Sequence, residues 1–136
     1  MPGRDISIAE KKILLKAQQG ELDAVLMYQA LASKVKDPAD AATFRQLASE
    51  EGRHASVFKK LTGETLKPKK TKAVFVPLLY TLFGKRKVYP VIAKGEYDAV
   101  KKYEPVVKRF PEVQSVKEDE QRHGDTVLAL LREGEK

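Results

Sequence analysis

Residues 20–28 read GELDAVLMY, and residues 95–103 read GEYDAVKKY. Six of the nine letters coincide: Gly, Glu, Asp, Ala, Val and Tyr. A second echo follows each copy, EEGRH at 50–54 and DEQRH at 119–123. The chain therefore writes one pattern twice. Each copy sets acidic residues where a helix should turn its apolar face inward.

Working outward from the repeat, helical periodicity predicts four helices. The first opens at Ser7, with Glu10 three residues on as a capping box, and runs to about Lys34. Its inner stripe is Leu14, Ala17, Ala24, Val25, Tyr28, Leu31 and Val35. Asp37 caps the second helix, Pro38 takes its first position and Gly63 stops it. Phe44, Leu47, Ala48, Ala55, Phe58 and Leu61 form its stripe. A third helix is expected from near Pro90, bent or ended by Pro105. Pro111 restarts the chain as the fourth, which stops before Gly134. The expected organisation is one all-α domain over 1–136: a hairpin at about 7–63, a crossover at about 64–88 and a hairpin at about 89–133. Two short connections and one long crossover make a ferritin-like four-helix bundle.

Polar residues interrupt each inner stripe where leucine would be expected: Glu21; Glu51 and His54; Glu96; Glu120 and His123. Glutamate and histidine three apart share a helix face. The chain has only 2 histidines, and both follow a glutamate by three. Chance would give that about one time in a hundred at this glutamate content. Buried unpaired ions cost several kcal/mol each. Four carboxylates are balanced by two divalent cations, and oxygen-rich ligation with two nitrogens suits iron, then manganese, with zinc a possible substitute.

At these residues the chain resembles the rubrerythrin branch of the ferritin-like superfamily, from about Ser7 to Leu131. The resemblance implies a two-iron cofactor. Glu51 and Glu120 would bridge the ions, Glu21 and Glu96 would be terminal carboxylates, and His54 and His123 terminal nitrogens. It also implies that Glu50 and Asp119 orient the histidines, that Arg53 and Arg122 hold those acids, and that Tyr28 and Tyr103 donate hydrogen bonds to ligand carboxylates. Rubrerythrins usually carry a further carboxylate one turn along the third helix. Here the flanking turns hold Ala93 and Ala99, so the ligand set is more symmetric. The implied activity is reduction of hydrogen peroxide, or oxidation of ferrous iron with peroxide or dioxygen. The alternative is a non-catalytic iron-handling module serving a storage shell or membrane transporter.

The absence of cysteine excludes disulfides and thiolate metal sites in this chain. Electrons are therefore expected from a separate donor, not a fused rubredoxin centre. Residues 1–12 lack the apolar core of a signal peptide, and a cytoplasmic location is expected. The net charge of +7 comes without a nucleic-acid reader motif, so no nucleic-acid partner is expected. The crossover KPKKTKAVFVPLLYTLFGKRK sets eleven mostly apolar residues, 73–83, between basic clusters. They are too few to span a bilayer. In this the chain is similar to the rubrerythrin-like domains joined to vacuolar-iron-transporter-type membrane proteins, though it is expected to stand alone. Residues 73–83 are expected to pack across the bundle or into a homodimer, in which the long crossover permits exchange of hairpins, with membrane-surface contact the less favoured role.

Overall fold

The computed structural model describes residues 5–133. Five α-helices run in order: α1 (Ile8–Lys34), α2 (Pro38–Thr62), α3 (Thr71–Phe83), α4 (Lys85–Tyr103) and α5 (Glu112–Glu133), with a 3-10 turn at Glu104–Val106. Four of them, α1, α2, α4 and α5, make an all-α ferritin-like bundle of two antiparallel hairpins. The expected stop at Gly134 lies outside the described residues.

The helix ends follow local chemistry. The Ser7 amide donates to the Glu10 carboxylate and the Glu10 amide to the Ser7 hydroxyl, at 3.0 Å each, closing the capping box. Asp37 accepts from the Ala39 amide at 2.8 Å and Pro38 takes the first helical position. Gly63 ends α2 with φ 71°, a left-handed conformation that suits glycine. Gly84, with φ 80°, separates α3 from α4.

The start of α4 corrects the expectation of a helix from near Pro90. The helix begins at Lys85, so Pro90 lies inside it. The extra turn buries Val88 and Tyr89 in the core. Proline there withdraws one backbone donor from the helix, a cost that the burial of Val88 and Tyr89 offsets. The crossover is also more ordered than its sequence suggested. Residues 64–70 run along α1 as a strap. Gln18 donates to the Glu64 carbonyl at 2.8 Å and Gln19 to the Lys67 carbonyl at 2.8 Å, while Asp23 accepts from the Lys69 amide at 2.7 Å. The chain then forms α3, which packs on α1 through Val76, Pro77 and Tyr80. Val74, Phe75, Leu78, Leu79, Leu82 and Phe83 are exposed on its outer side.

The core has three layers along the bundle. At one end Met27, Tyr28, Leu31, Phe44, Leu47, Tyr89, Val127 and Leu130 form an apolar cluster. At the other, Leu14, Phe58, Tyr103, Phe110, Val113 and Val116 form a second. C-terminal α1 meets N-terminal α4 in the first cluster, so these helices run antiparallel. Between the clusters lies a polar layer, where the two hairpins face each other across the interruptions in their stripes.

Candidate metal centre

All six interrupting side chains enter that layer. Glu21, Glu51, His54, Glu96, Glu120 and His123 are each at most 6 % exposed. They form two donor groups: Glu21, Glu51, His54 and Glu120; and Glu51, Glu96, Glu120 and His123. Within each group the donor atoms lie within 4.8 Å of one another, close enough to surround one cation. Glu51 and Glu120 belong to both groups. His54 Nδ1 stands 2.9 Å from Glu51, 3.2 Å from Glu21 and 3.2 Å from Glu120. His123 Nδ1 stands 3.3 Å from Glu120, 3.4 Å from Glu51 and 3.6 Å from Glu96.

Two atoms test whether a cation belongs here. Glu120 Oε1 and His123 Nδ1 are buried with no hydrogen-bond partner, although they approach to 3.3 Å. Both statements hold because the pair has ion-pair distance without hydrogen-bond alignment. Donor atoms arranged around a shared third atom have that geometry, and orphaned buried polar atoms are otherwise costly. Protonation also points to a missing positive charge. Burial raises the Glu21 carboxyl above its ordinary range, and the Glu120 charge adds to the rise. Burial, then the Glu21 charge, raises Glu51 further. Burial pulls the His54 imidazole down, but the close Glu120, Glu21 and Glu51 carboxylates outweigh it and push it up to about 12. His123 is raised in the same manner by Glu120, Glu51 and Glu96. Protons thus take up charge that divalent ions would otherwise balance. Four oxygen-bearing and two imidazole ligands make a metal-binding donor set.

The outer nitrogens are fixed crosswise between α2 and α5. His54 Nε2 lies 2.8 Å from Asp119, and His123 Nε2 lies 2.8 Å from Glu50. Each acid therefore orients the histidine of the opposite hairpin, leaving both Nδ1 atoms facing inward. Arg53 donates to Asp119 at 2.6 Å. Arg122 donates to Glu50 at 2.5 Å and to Asp119 at 3.2 Å, bridging the pair. Burial works against ionisation of Glu50, but hydrogen bonds from Gln46, Arg122 and His123 hold it down at about 2. Asp119 is likewise held at about 2 by His54, Arg53 and Arg122 against its burial. Gln46, which donates to Glu50 at 2.9 Å, escaped the sequence reading. Its one signal was the four-residue spacing on an exposed helix face.

The tyrosines also cross between hairpins. Tyr28 donates to Glu96 and Tyr103 to Glu21, the latter at 2.5 Å. Tyr28 stacks on Phe44 and Tyr103 meets Phe58 edge-on, so each ring belongs to an apolar cluster while its hydroxyl reaches the polar layer. Burial first, and then Glu96 for Tyr28 and Glu21 for Tyr103, raise both hydroxyls well above their ordinary range.

One side of the layer is open. A cavity of about 690 Å³ lies between α1 and α4, and Glu21, Glu51, Glu96, Glu120, Tyr28 and Tyr103 all reach it. Ala99, one of the two alanines in the turns that flank Glu96, lines its wall. Gly20 and Gly95, the first letters of the repeated nonapeptide, also line it, and a Cβ on either would meet nothing within 4 Å.

Comparison with known proteins agrees with this geometry. Neither the curated proteins nor the solved structures gave a match. The family model for rubrerythrin matches residues 12–131. That span runs from α1 to α5 and takes in every side chain of the polar layer, and the chain belongs to the rubrerythrin family.

Proposed function

We infer that this chain is a non-haem di-iron oxidoreductase whose preferred substrate is hydrogen peroxide. The observation that carries the reading is the pair of donor groups sharing Glu51 and Glu120 beneath an open groove. Oxygen-rich ligation with two imidazoles suits iron, with manganese or zinc as substitutes. A bound pair of ferrous ions supplies the two electrons that cleavage of an O–O bond consumes, and a separate donor must restore them. With two protons, peroxide then leaves as two waters.

The chain's own groups do the positioning. Glu51 and Glu120 would span the two ions, with Glu21 and His54 completing one site and Glu96 and His123 the other. Asp119 and Glu50 accept from the outer ring nitrogens, so each inner nitrogen presents its lone pair. Tyr28 and Tyr103 keep their protons at neutral pH and so remain donors, each fixing one oxygen of a terminal carboxylate. The groove mouth favours a neutral oxidant over a cation. Lys16, Lys72 and Lys102 line it and have no ion-pair partner among the described residues. Peroxide passes such a rim freely, whereas a ferrous ion is repelled.

Ferrous iron as substrate is the second reading, supported by the same carboxylates facing an open cavity. A non-catalytic iron-handling role has one support of its own, the exposed apolar face of α3. Stopped-flow mixing of the anaerobic, ferrous-loaded protein with peroxide or dioxygen separates the three. The peroxidase reading expects fast oxidation of two ferrous ions per peroxide, much faster than with dioxygen. Fast turnover of added ferrous iron without preference for peroxide would establish the ferroxidase. Slow, unselective oxidation with ready metal release would leave the carrier.

A further inference from the structure

We propose that the groove between α1 and α4 binds an elongated amphipathic anion, an alkyl chain ending in a carboxylate. The inference goes beyond the peroxide reading and does not depend on it.

Size comes first. One water occupies about 30 Å³ of liquid, and peroxide needs little more. The cavity is about 690 Å³, in the range that encloses drug-sized ligands. Shape comes second. Its lining runs from Ile13 to Tyr28 on α1 and from Val91 to Tyr103 on α4. At the rise of an α-helix that is a trough roughly 20 Å long. Ile13, Ala24, Val91 and Ala99 give it apolar walls, while the four cage carboxylates, balanced when metal is bound, and Asp98 also line it.

The glycines supply a third argument. A mid-helix glycine costs roughly 0.5–1 kcal/mol against alanine. Gly20 and Gly95 carry that cost without steric need inside the chain, since a Cβ at either has open space. What they leave clear is the middle of the trough, one residue from Glu21 and Glu96.

Charge selects the head group. Lys16 on α1 and Lys102 on α4 sit at the same end of the groove, because the two helices are antiparallel. Neither has an ion-pair partner within 4 Å among the described residues, although Lys102 acts on Asp98 from further off; Lys94 is taken by Asp98 at 2.9 Å. Of the three unpaired lysines in the lining these two share an end, while Lys72 stands apart on α3, and the two fit one carboxylate, with the chain lying along the glycines.

The test is calorimetric titration of zinc-loaded protein with dodecanoate and with dodecanol, below their aggregation limits. Zinc is redox-silent, so the readout is binding alone. Dodecanoate is expected to saturate a single site. Gly95→Leu should weaken both ligands by about tenfold or more by filling the trough. The double variant Lys16→Glu/Lys102→Glu should weaken dodecanoate by about tenfold and leave dodecanol unchanged. Zinc content of each variant shows that the cage persists. Three outcomes overturn the proposal: no saturable dodecanoate binding, as when a second copy of the chain covers the groove; dodecanoate binding that neither variant alters, which would move it to the outer face of α3; or equal loss of dodecanol in the charge variant. Because peroxide oxidation is measured separately on iron-loaded protein, failure here leaves that reading intact, and the reverse holds too.

Discussion

One turn before Glu21, α1 carries Gln18; one turn before Glu96, α4 carries Ala93. Both are buried, yet only the first has polar work. Gln18 accepts from the Thr62 hydroxyl at 2.6 Å and donates to the Glu64 carbonyl at 2.8 Å. It pins the end of α2 and the start of the strap to α1, and the second hairpin has no strap to hold. The same division runs through both hairpins. Glu21 and Glu96, Tyr28 and Tyr103, Glu51 and Glu120, His54 and His123 recur, and all of them meet in the polar layer. Gln18 and Gln19 do not recur, and they fasten the crossover; Asp23 recurs as Asp98, but only Asp23 holds the strap, while Asp98 accepts from Lys94 at 2.9 Å. Duplication within one chain thus separates the cage from its scaffold.

The separation is broken most directly at the shared carboxylates. Glu51 and Glu120 belong to both donor groups, whereas Glu21 and Glu96 belong to one each. Glu51→Ala or Glu120→Ala should take bound metal from about two ions per chain to about none, and Glu21→Ala or Glu96→Ala should leave about one. Metal analysis after desalting gives the count. Full loading of Glu51→Ala would mean that the halves do not share a ligand. Thermal melts add a check without metal. Burial and the Glu21 charge hold the Glu51 carboxyl above its ordinary range, so its ionised form weakens the metal-free fold at neutral pH. Metal-free Glu51→Gln should therefore melt no lower than the metal-free parent.

A smaller effect sharpens the comparison outside the cage. Arg122 touches both Glu50 and Asp119, while Arg53 touches Asp119 alone. Their side chains are 51 % and 56 % exposed, so solvent screens both. Their effect should come through the histidine rings that the two acids hold. Arg122→Ala is expected to weaken metal affinity by roughly tenfold, the lower end for an outer partner, and Arg53→Ala by less. Competition with a chelator gives the ratio. Equal losses would show that bridging the two acids adds nothing.

The cage was legible because ionisable groups break an apolar stripe, and burying them demands a partner. Ser7, Asp37, Pro38 and Gly63 were legible because each has local chemistry that depends on no distant residue. The crossed pairing of His54 with Asp119 and His123 with Glu50 was not, since it depends on how two helices face one another. Helix α3 was hidden for another reason: an almost wholly apolar run offers no polar side from which a period can be read. The early start of α4 was masked by Pro90, whose punctuation outweighed the burial of Val88 and Tyr89. The groove gave the weakest signal of all, because Gly20, Gly95 and Ala99 mark it by the side chains they lack.

The smallest expected effect on the site is the strongest test of the separation. Gln18→Ala removes the side chain that serves both the buried Thr62 hydroxyl and the Glu64 carbonyl. Buried polar groups left without partners cost about 1–3 kcal/mol each, so the variant should melt at a clearly lower temperature. Gln19 and Asp23 still hold Lys67 and Lys69, so the strap should loosen at its start and remain attached further along. Hydrogen exchange should accordingly quicken at residues 63–66 more than at 67–70. Metal content and the rate of peroxide oxidation should not change, because no atom of Gln18 belongs to either donor group. If Gln18→Ala lost metal as readily as Glu21→Ala, one turn away, its unrepeated hydrogen bonds would have to be counted as part of the cage, and the division between repeated and unrepeated residues would fail where it is most exposed to test.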